Sequence, residues 1–158
     1  MSTSTRDLDE RLTRALQALP GDQPADLDIL MKSGREWVAS QRPVDPESQV
    51  ALWLKEHDGA RELDAVCGFL AGVWMAHAAR SENLVADLLD RSALADALSD
   101  DRYRDMVTST LCHAATPSPG SHTRARLRER LEEIRVRFGD RLQRPVSRTL
   151  DATLAELE

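Results

Sequence analysis

Apolar side chains recur every three or four residues along most of the chain. Leu8, Leu12, Leu16 and Leu19 are the first example, and their spacing places them on one side of an α-helix. No segment alternates between apolar and polar residues in the way that a half-buried strand does. The pattern predicts an all-α fold, a helical bundle of six to nine helices, in which residues 1–158 form a single domain.

Turn and capping residues separate the predicted helices. Pro20–Gly21 ends the first helix, and Asp45 is expected to be an N-cap with Pro46 in the first helical position. A second helix is predicted over about 25–40, and the helix that starts at Pro46 is expected to end near Gly59. Ser81 is expected to cap the next helix, and Ser92 or Asp90 the one after it. Further helices are predicted to begin at Asp100 or Asp101 and at about Thr123, and Pro145 starts or kinks the last one.

One predicted helix, over about residues 60–79, is apolar on nearly every side. The fifteen residues from Ala65 to Ala79 carry no charge, which is typical of a helix surrounded by other helices. Gly68, Gly72 and Ala76 recur every four residues within it and form a stripe that another backbone can approach closely. We therefore expect this helix at the centre of the bundle.

The composition favours a cytoplasmic protein. Of the 158 residues, 41% are apolar, which is enough for one core, while no apolar run reaches the roughly 18 residues of a membrane span. The chain does not open on a hydrophobic segment, so we expect no secretory signal. Cys67 and Cys112 are too few for a disulfide framework, and we expect both to be buried and unbridged.

Charge is distributed unevenly along the chain, whose formal net charge is −6. Residues 122–158 hold nine arginines and seven acidic residues, a net charge of +2, whereas residues 1–121 carry −8. We therefore distinguish an acidic body (1–115), a Pro-rich loop (116–122) and a basic C-terminal helical segment (123–158). The basic segment is the part of the sequence that most favours contact with a partner.

Four arginines of this segment are the candidate contact residues: Arg126, Arg130, Arg137 and Arg141. Winding the helix at about 100° per residue places the first three within about 40° of one another, and extending it past Gly139 brings Arg141 to the same edge. Such a stripe could contact a nucleic-acid backbone or an acidic partner. The alternative is a solvated face crossed by local ion pairs. Those pairs would be Arg128–Glu132, Glu133–Arg137 and Asp140–Arg144.

The sequence contains no motif of a catalytic or cofactor site, so we expect no catalytic residues, no cofactor and no metal. No two of the possible metal ligands have a spacing that presents both on one helix face. These residues are His57, Cys67, His77, Cys112, His113 and His122. His77 lies in the apolar helix, where a hydrogen-bonded buried histidine is favoured over a haem ligand. The acidic residues with a conceivable role in Mg²⁺ binding are Asp96, Asp100, Asp101 and Asp105, although acidic residues at helix starts are also expected from capping.

In length, helical organisation and arginine-bearing helices, with Arg126, Arg130, Arg137 and Arg141 as the matching feature, the chain resembles the small helical subunits of CRISPR effector complexes. The resemblance implies a non-enzymatic subunit that assembles along a larger complex of protein subunits and contacts nucleic-acid backbone. The net charge of −6 departs from the basic balance that this implies. Two alternatives are a free-standing cytosolic adaptor, assembly chaperone or immunity-type protein that binds a protein partner, and a small carboxylate-based enzyme.

Overall fold

The computed structural model describes residues 3–18, 27–76, 88–115 and 120–158. These residues include eight α-helices and one short 3-10 helix, with no strand among them, so the predicted all-α fold is confirmed. The α-helices are α1 (Thr3–Ala18), α2 (Leu27–Gln41), α3 (Pro46–Glu56), α4 (Ala60–Ala76), α5 (Ser92–Ser99), α6 (Asp101–Ala115), α7 (Ser121–Phe138) and α8 (Arg144–Leu157). The predicted stop at Pro20–Gly21 and the predicted start at Ser81 lie outside the described residues.

Side-chain capping explains the start of α3 but not that of α5. At the start of α3, the Asp45 carboxylate accepts a hydrogen bond of 3.2 Å from the backbone N–H of Ser48, as the sequence predicts. The predicted cap of α5 is wrong, because its N-cap residue is Arg91, which makes no side-chain cap. The Ser92 hydroxyl instead donates a hydrogen bond of 2.7 Å to the Asp58 carboxylate. The predicted capping group therefore makes a tertiary contact.

Helix α4 is the centre of the fold. Every residue from Leu63 to Trp74 is buried, and the helix contacts α1, α2, α3, α5 and α6. The central placement predicted from the uncharged run is therefore confirmed. The described part of the helix ends at Ala76, so His77 and its expected hydrogen bond lie outside the described residues.

Helices α2 and α4 approach each other closely through glycines. A Cβ atom at Gly72 would overlap the main-chain oxygen of Met31, with the carbonyl carbon of that residue at 2.7 Å. Gly34 of α2 faces the main-chain oxygen of Phe69 in the same way. The small-residue stripe of α4 thus receives a second backbone, as predicted, although Ala76 at its far end is exposed. Gly34 weakens α2 locally, as glycine does within any helix, and this close contact is what it allows.

Three arginines join one helix to the end of another. In each case a guanidinium group donates hydrogen bonds to main-chain carbonyls in the last turn of a different helix, where the carbonyls have no partner within their own helix. Arg61 of α4 holds the end of α1, Arg104 of α6 holds α5, and Arg124 of α7 holds α8. The acceptors are Leu16 (3.2 Å), Leu98 and Ser99 (2.7 and 3.2 Å), and Glu156 and Leu157 (2.8 and 3.4 Å).

Helix α6 connects the central helix to the C-terminal part of the fold. It packs against α4 and also against α7 and α8, which pack against each other. One hydrophobic cluster contains residues from all eight described α-helices, including Leu8 in α1 and Leu150 in α8. Among these helices, none combines the length and the apolar character that a bilayer crossing requires. The outward side of α7 is left as a surface, and the candidate contact residues lie there.

Candidate functional site

Helix α7 buries one narrow side and exposes the rest. Its buried side chains are Thr123, Leu127, Leu131 and Ile134, whose spacing of three and four residues keeps them on one line against the core. The arginines and glutamates therefore lie on the two flanks of that line and on the outward face. We call the residues Arg126, Glu129, Arg130, Glu133 and Arg137 the charged flank.

Arg126 is held by a carboxylate from another part of the chain. Its Nη2 donates to Asp90 Oδ1, 36 positions away in sequence and in the turn that precedes α5. The side chain of Arg126 is 31% exposed and that of Asp90 is 64% exposed, so the pair lies at the surface. The first arginine of the predicted stripe is thus paired by a group that local spacing could not reveal.

Arg130 and Arg137 share a single carboxylate, that of Glu133. The side chain of Arg130 approaches it at 3.2 Å from one turn before, and that of Arg137 approaches it at 3.2 Å from one turn after. The Arg137 guanidinium also lies over the Phe138 ring, 5.3 Å from its centroid. Glu133, which interrupts the predicted arginine stripe in the sequence, therefore neutralises part of it in the fold.

The charged flank borders a crevice of about 170 Å³. Four of its residues, Arg126, Glu129, Arg130 and Glu133, line this crevice together with the buried side chain of Leu89. Positive and negative groups alternate along the wall, so the crevice presents donors and acceptors side by side. Such a surface is complementary to another surface of mixed charge.

The continuous helix that was extended past Gly139 to place Arg141 does not form. Helix α7 ends at Phe138, where φ is −128° and ψ is 2°, and residues 139–141 form a 3-10 turn. Leu142, which follows, is buried in the core, so the chain turns inward rather than continuing the helix. Arg141 is exposed and lies in the 3-10 turn, outside α7.

The opposite flank of α7 also carries arginines, which lie outside the predicted stripe. Arg124 holds the end of α8, Arg128 pairs with Glu132 at 3.4 Å, and Arg135 is exposed. Together with Leu157 and neighbouring residues, Arg124, Arg128 and Glu132 line a groove of about 380 Å³. The same helical winding that grouped the first stripe places these three arginines on the other edge of the apolar line.

Two of the three ion pairs expected for a solvated face are confirmed. Arg128–Glu132 and Glu133–Arg137 form, whereas Asp140–Arg144 is not among the ion pairs of the described residues. The missing pair depends on a continuous helix, and the chain leaves the helical path between Phe138 and Arg144.

The carboxylates near the start of α6 are engaged in local structure. Asp100 binds the side chain of Arg102, Asp101 pairs with Arg104 at 2.6 Å, and Asp105 accepts the backbone N–H of Gln143 at 3.2 Å. Among the residues that the structure describes, no three His, Cys, Asp or Glu side chains form a group that could hold a metal ion. Asp101 and Asp105 do line a groove of about 270 Å³, with Leu27 and Val146 among its apolar residues.

Asp100 gives a testable dependence of stability on pH. Hydrogen bonds from the side chain and the backbone N–H of Arg102 lower the pKa of its carboxyl from 3.8. A lowered pKa in the fold means that the ionised group stabilises the protein above pH 3.8, and that this contribution is lost as pH falls through the folded value. We expect Asp100→Asn to cost less than about 1 kcal/mol at neutral pH, because the pair is solvent-exposed. In thermal unfolding measurements, the difference from wild type should shrink as the pH is lowered below 3.8, and a difference constant with pH would contradict this account.

The cysteines are poor nucleophiles in this fold. Burial raises the pKa of the Cys67 thiol far above its usual value, and the nearby Asp64 raises it further. Burial likewise raises the pKa of Cys112 to about 11. Both residues are buried, as expected, and both are free thiols. A thiolate is the reactive form, so neither cysteine is prepared for attack on a substrate.

The described histidines are dispersed. The His57 ring stacks on Trp53, with centroids 4.0 Å apart, and its Nδ1 lies 2.9 Å from the Trp53 carbonyl oxygen. His113 lies in the last turn of α6, and His122 is exposed in the first turn of α7.

Comparison with known protein families, with characterised proteins and with solved structures finds no match to this chain.

Proposed function

We propose that this chain is a non-enzymatic helical subunit of a protein assembly and that its charged flank binds a protein partner. The observation that carries the proposal is the pairing of Arg126 with Asp90 and of Arg130 and Arg137 with Glu133. These pairs make a surface of alternating sign. A protein surface can match both signs, whereas a nucleic-acid backbone presents only negative charge.

The cost of rearranging the ion pairs also favours a protein partner. An arginine that neutralises a phosphate either leaves its carboxylate or brings that carboxylate beside the polyanion, and in both cases a negative group of the charged flank faces like charge. A protein partner with its own acidic and basic residues can instead add to the existing network, because each carboxylate oxygen and each guanidinium accommodates more than one hydrogen bond.

Contact with nucleic-acid backbone is the second candidate. Two observations favour it: residues 122–158 carry a net charge of +2, and Arg135 and Arg141 are exposed. The resemblance to small helical subunits of CRISPR effector complexes points the same way. The affinity of such binding would rise as the salt concentration falls, and it would depend on phosphate contacts rather than on base sequence.

Glu133→Gln separates the two candidates. The substitution removes the carboxylate that holds Arg130 and Arg137, so it makes the charged flank more positive without removing an arginine. We expect it to weaken a complex with a mixed-charge protein by about tenfold, since it removes an acceptor from an interfacial network. Replacing Arg126, Arg130 and Arg137 together with Gln should weaken the same complex at least as much.

The measurement is cross-linking of tagged protein in cells that naturally contain it, followed by nuclease digestion and quantification of the attached proteins and nucleic acids. Glu132→Gln is the matched control, because it makes the same charge change beside Arg128 on the opposite flank and should retain the partners. The proposal predicts nuclease-resistant protein cross-links that decrease in both test variants. Nucleic-acid cross-links that increase with Glu133→Gln and decrease in the triple variant would establish the second candidate instead.

A further inference from the structure

The charged flank is complementary to itself. Along the helix its first four residues read Arg126, Glu129, Arg130 and Glu133, so the signs alternate positive, negative, positive, negative. Read in the opposite direction, each sign is reversed. We infer that the charged flank binds the charged flank of a second copy of this chain, in an antiparallel arrangement related by a two-fold axis near Glu129 and Arg130.

The spacing makes the two copies match over two turns of helix. With a rise of about 1.5 Å per residue, Arg126 and Glu133 lie about 10 Å apart along the axis. Antiparallel pairing places Arg126 opposite Glu133 of the second copy and Glu129 opposite Arg130 of the second copy. Two-fold symmetry repeats both pairs, so the interface contains four pairs of opposite charge and uses the same surface on both molecules.

The structure leaves these groups accessible for such pairing. The side chains of Arg126 and Arg130 are 31% and 32% exposed, and that of Glu133 is 42% exposed. The same four charged residues line the crevice above Leu89, so side chains from a second copy would enter a concave surface rather than a flat one. Glu133 already accepts hydrogen bonds from two arginines, and its carboxylate has lone pairs for another.

This inference rests on the proposed function and identifies one protein partner of the charged flank. Each pair is partly solvated, and isolated exposed ion pairs contribute little to stability. The dimer is therefore weak and sensitive to salt. Its association is measurable because four ion pairs act together as a network. We expect the dissociation constant of the dimer to rise at least about tenfold between about 50 mM and about 500 mM salt. The reason is that the screening length then becomes shorter than the separation of the outer charges.

Variants with reversed charges, measured alone and mixed with each other, test the pairing directly. The full-length double variants Arg126→Glu/Arg130→Glu and Glu129→Arg/Glu133→Arg each place like charges opposite one another in the homodimer. Analytical ultracentrifugation at low salt, with protein up to about 1 mM, should show that each variant alone is monomeric. An equimolar mixture of the two should dimerise again, since every pair across the interface then has opposite signs.

Arg128→Glu/Glu132→Arg is the matched control, because it reverses one pair on the opposite flank and should dimerise like wild type. Circular dichroism of every protein verifies that the helices are intact, and the neutral variant Arg126→Gln/Arg130→Gln gives the same test without introducing repulsion. A wild type that stays monomeric at low salt, or a mixture that fails to dimerise, overturns the inference. The proposed function is judged separately, by whether Glu133→Gln loses nuclease-resistant protein cross-links.

Discussion

Replacing Gly72 with leucine is expected to lower the free energy of unfolding by about 3 kcal/mol, the upper part of the range for overpacked cores. A Cβ atom at this position meets the main-chain oxygen, carbonyl carbon and Cα of Met31 rather than a side chain that could rotate away. Helix α2 would have to move off α4 as a whole. For a chain of this length we expect the melting temperature to fall by about 10 °C, measured by thermal unfolding followed by circular dichroism.

Two other glycines provide the controls. At Gly139, where φ is −51°, a Cβ atom would have nothing within 4 Å, so Gly139→Leu should leave the melting temperature nearly unchanged. Gly68→Ala should lie between these extremes, because the added atom meets Leu30 Cδ1 at 2.6 Å, which can rotate away, and Leu30 Cβ at 2.7 Å, which moves only with its backbone. An unchanged melting temperature for Gly72→Leu would contradict the close packing of α2 on α4.

Replacing Arg104 with alanine is expected to cost about 3 kcal/mol of unfolding free energy. Although charged, this side chain is only 2% exposed, and its guanidinium lies 4.5 Å from the centroid of the Phe138 ring. Its hydrogen bonds to Leu98 and Ser99 satisfy carbonyls that would otherwise lack partners, and its stem fills space in the core. Denaturant unfolding should show a lower midpoint with an unchanged slope.

The neighbouring Arg102 is the control for Arg104. Its side chain is 42% exposed, pairs with the carboxylate of Asp100 two residues before it and lies 5.3 Å from the centroid of the Tyr103 ring, so Arg102→Ala should cost less than about 1 kcal/mol. Arg104→Lys should recover only part of the loss, because an ammonium group cannot reach two carbonyls and an aromatic face with the geometry of a planar fork. Equal effects of Arg102→Ala and Arg104→Ala would contradict the structural role assigned to Arg104.

Local periodicity was sufficient to predict the helices and the central position of α4. The uncharged run around Gly68 and Gly72 could be interpreted from sequence because it involves neighbours along one helix. Gly34 could not, since its role depends on which backbone lies across from it. The cap of α5 failed for the same reason: the hydroxyl of Ser92 can cap its own helix or bind Asp58, and only the fold decides between them.

In the candidate site too, contacts between neighbours on one helix were predictable from the sequence, and contacts between distant residues were not. The pair Glu133–Arg137 follows from a spacing of four residues and was predictable, whereas the partner of Arg126 lies 36 positions away in sequence. Helical winding also identified one arginine edge correctly but was extended too far at Arg141, because the pattern does not show that Phe138 ends the helix. The function of the charged flank stays a prediction.

The arginines that hold helix ends have a consequence for how the fold opens. A helix normally frays from its termini, where carbonyls lack partners within the helix, without disturbing its neighbours. Here the last turns of α1, α5 and α8 are bonded to Arg61, Arg104 and Arg124 on other helices. Loosening one of these ends therefore requires breaking contact with a second helix. Fraying and the separation of helices become a single event, which makes the loss of structure more cooperative than the lengths of the individual helices would suggest.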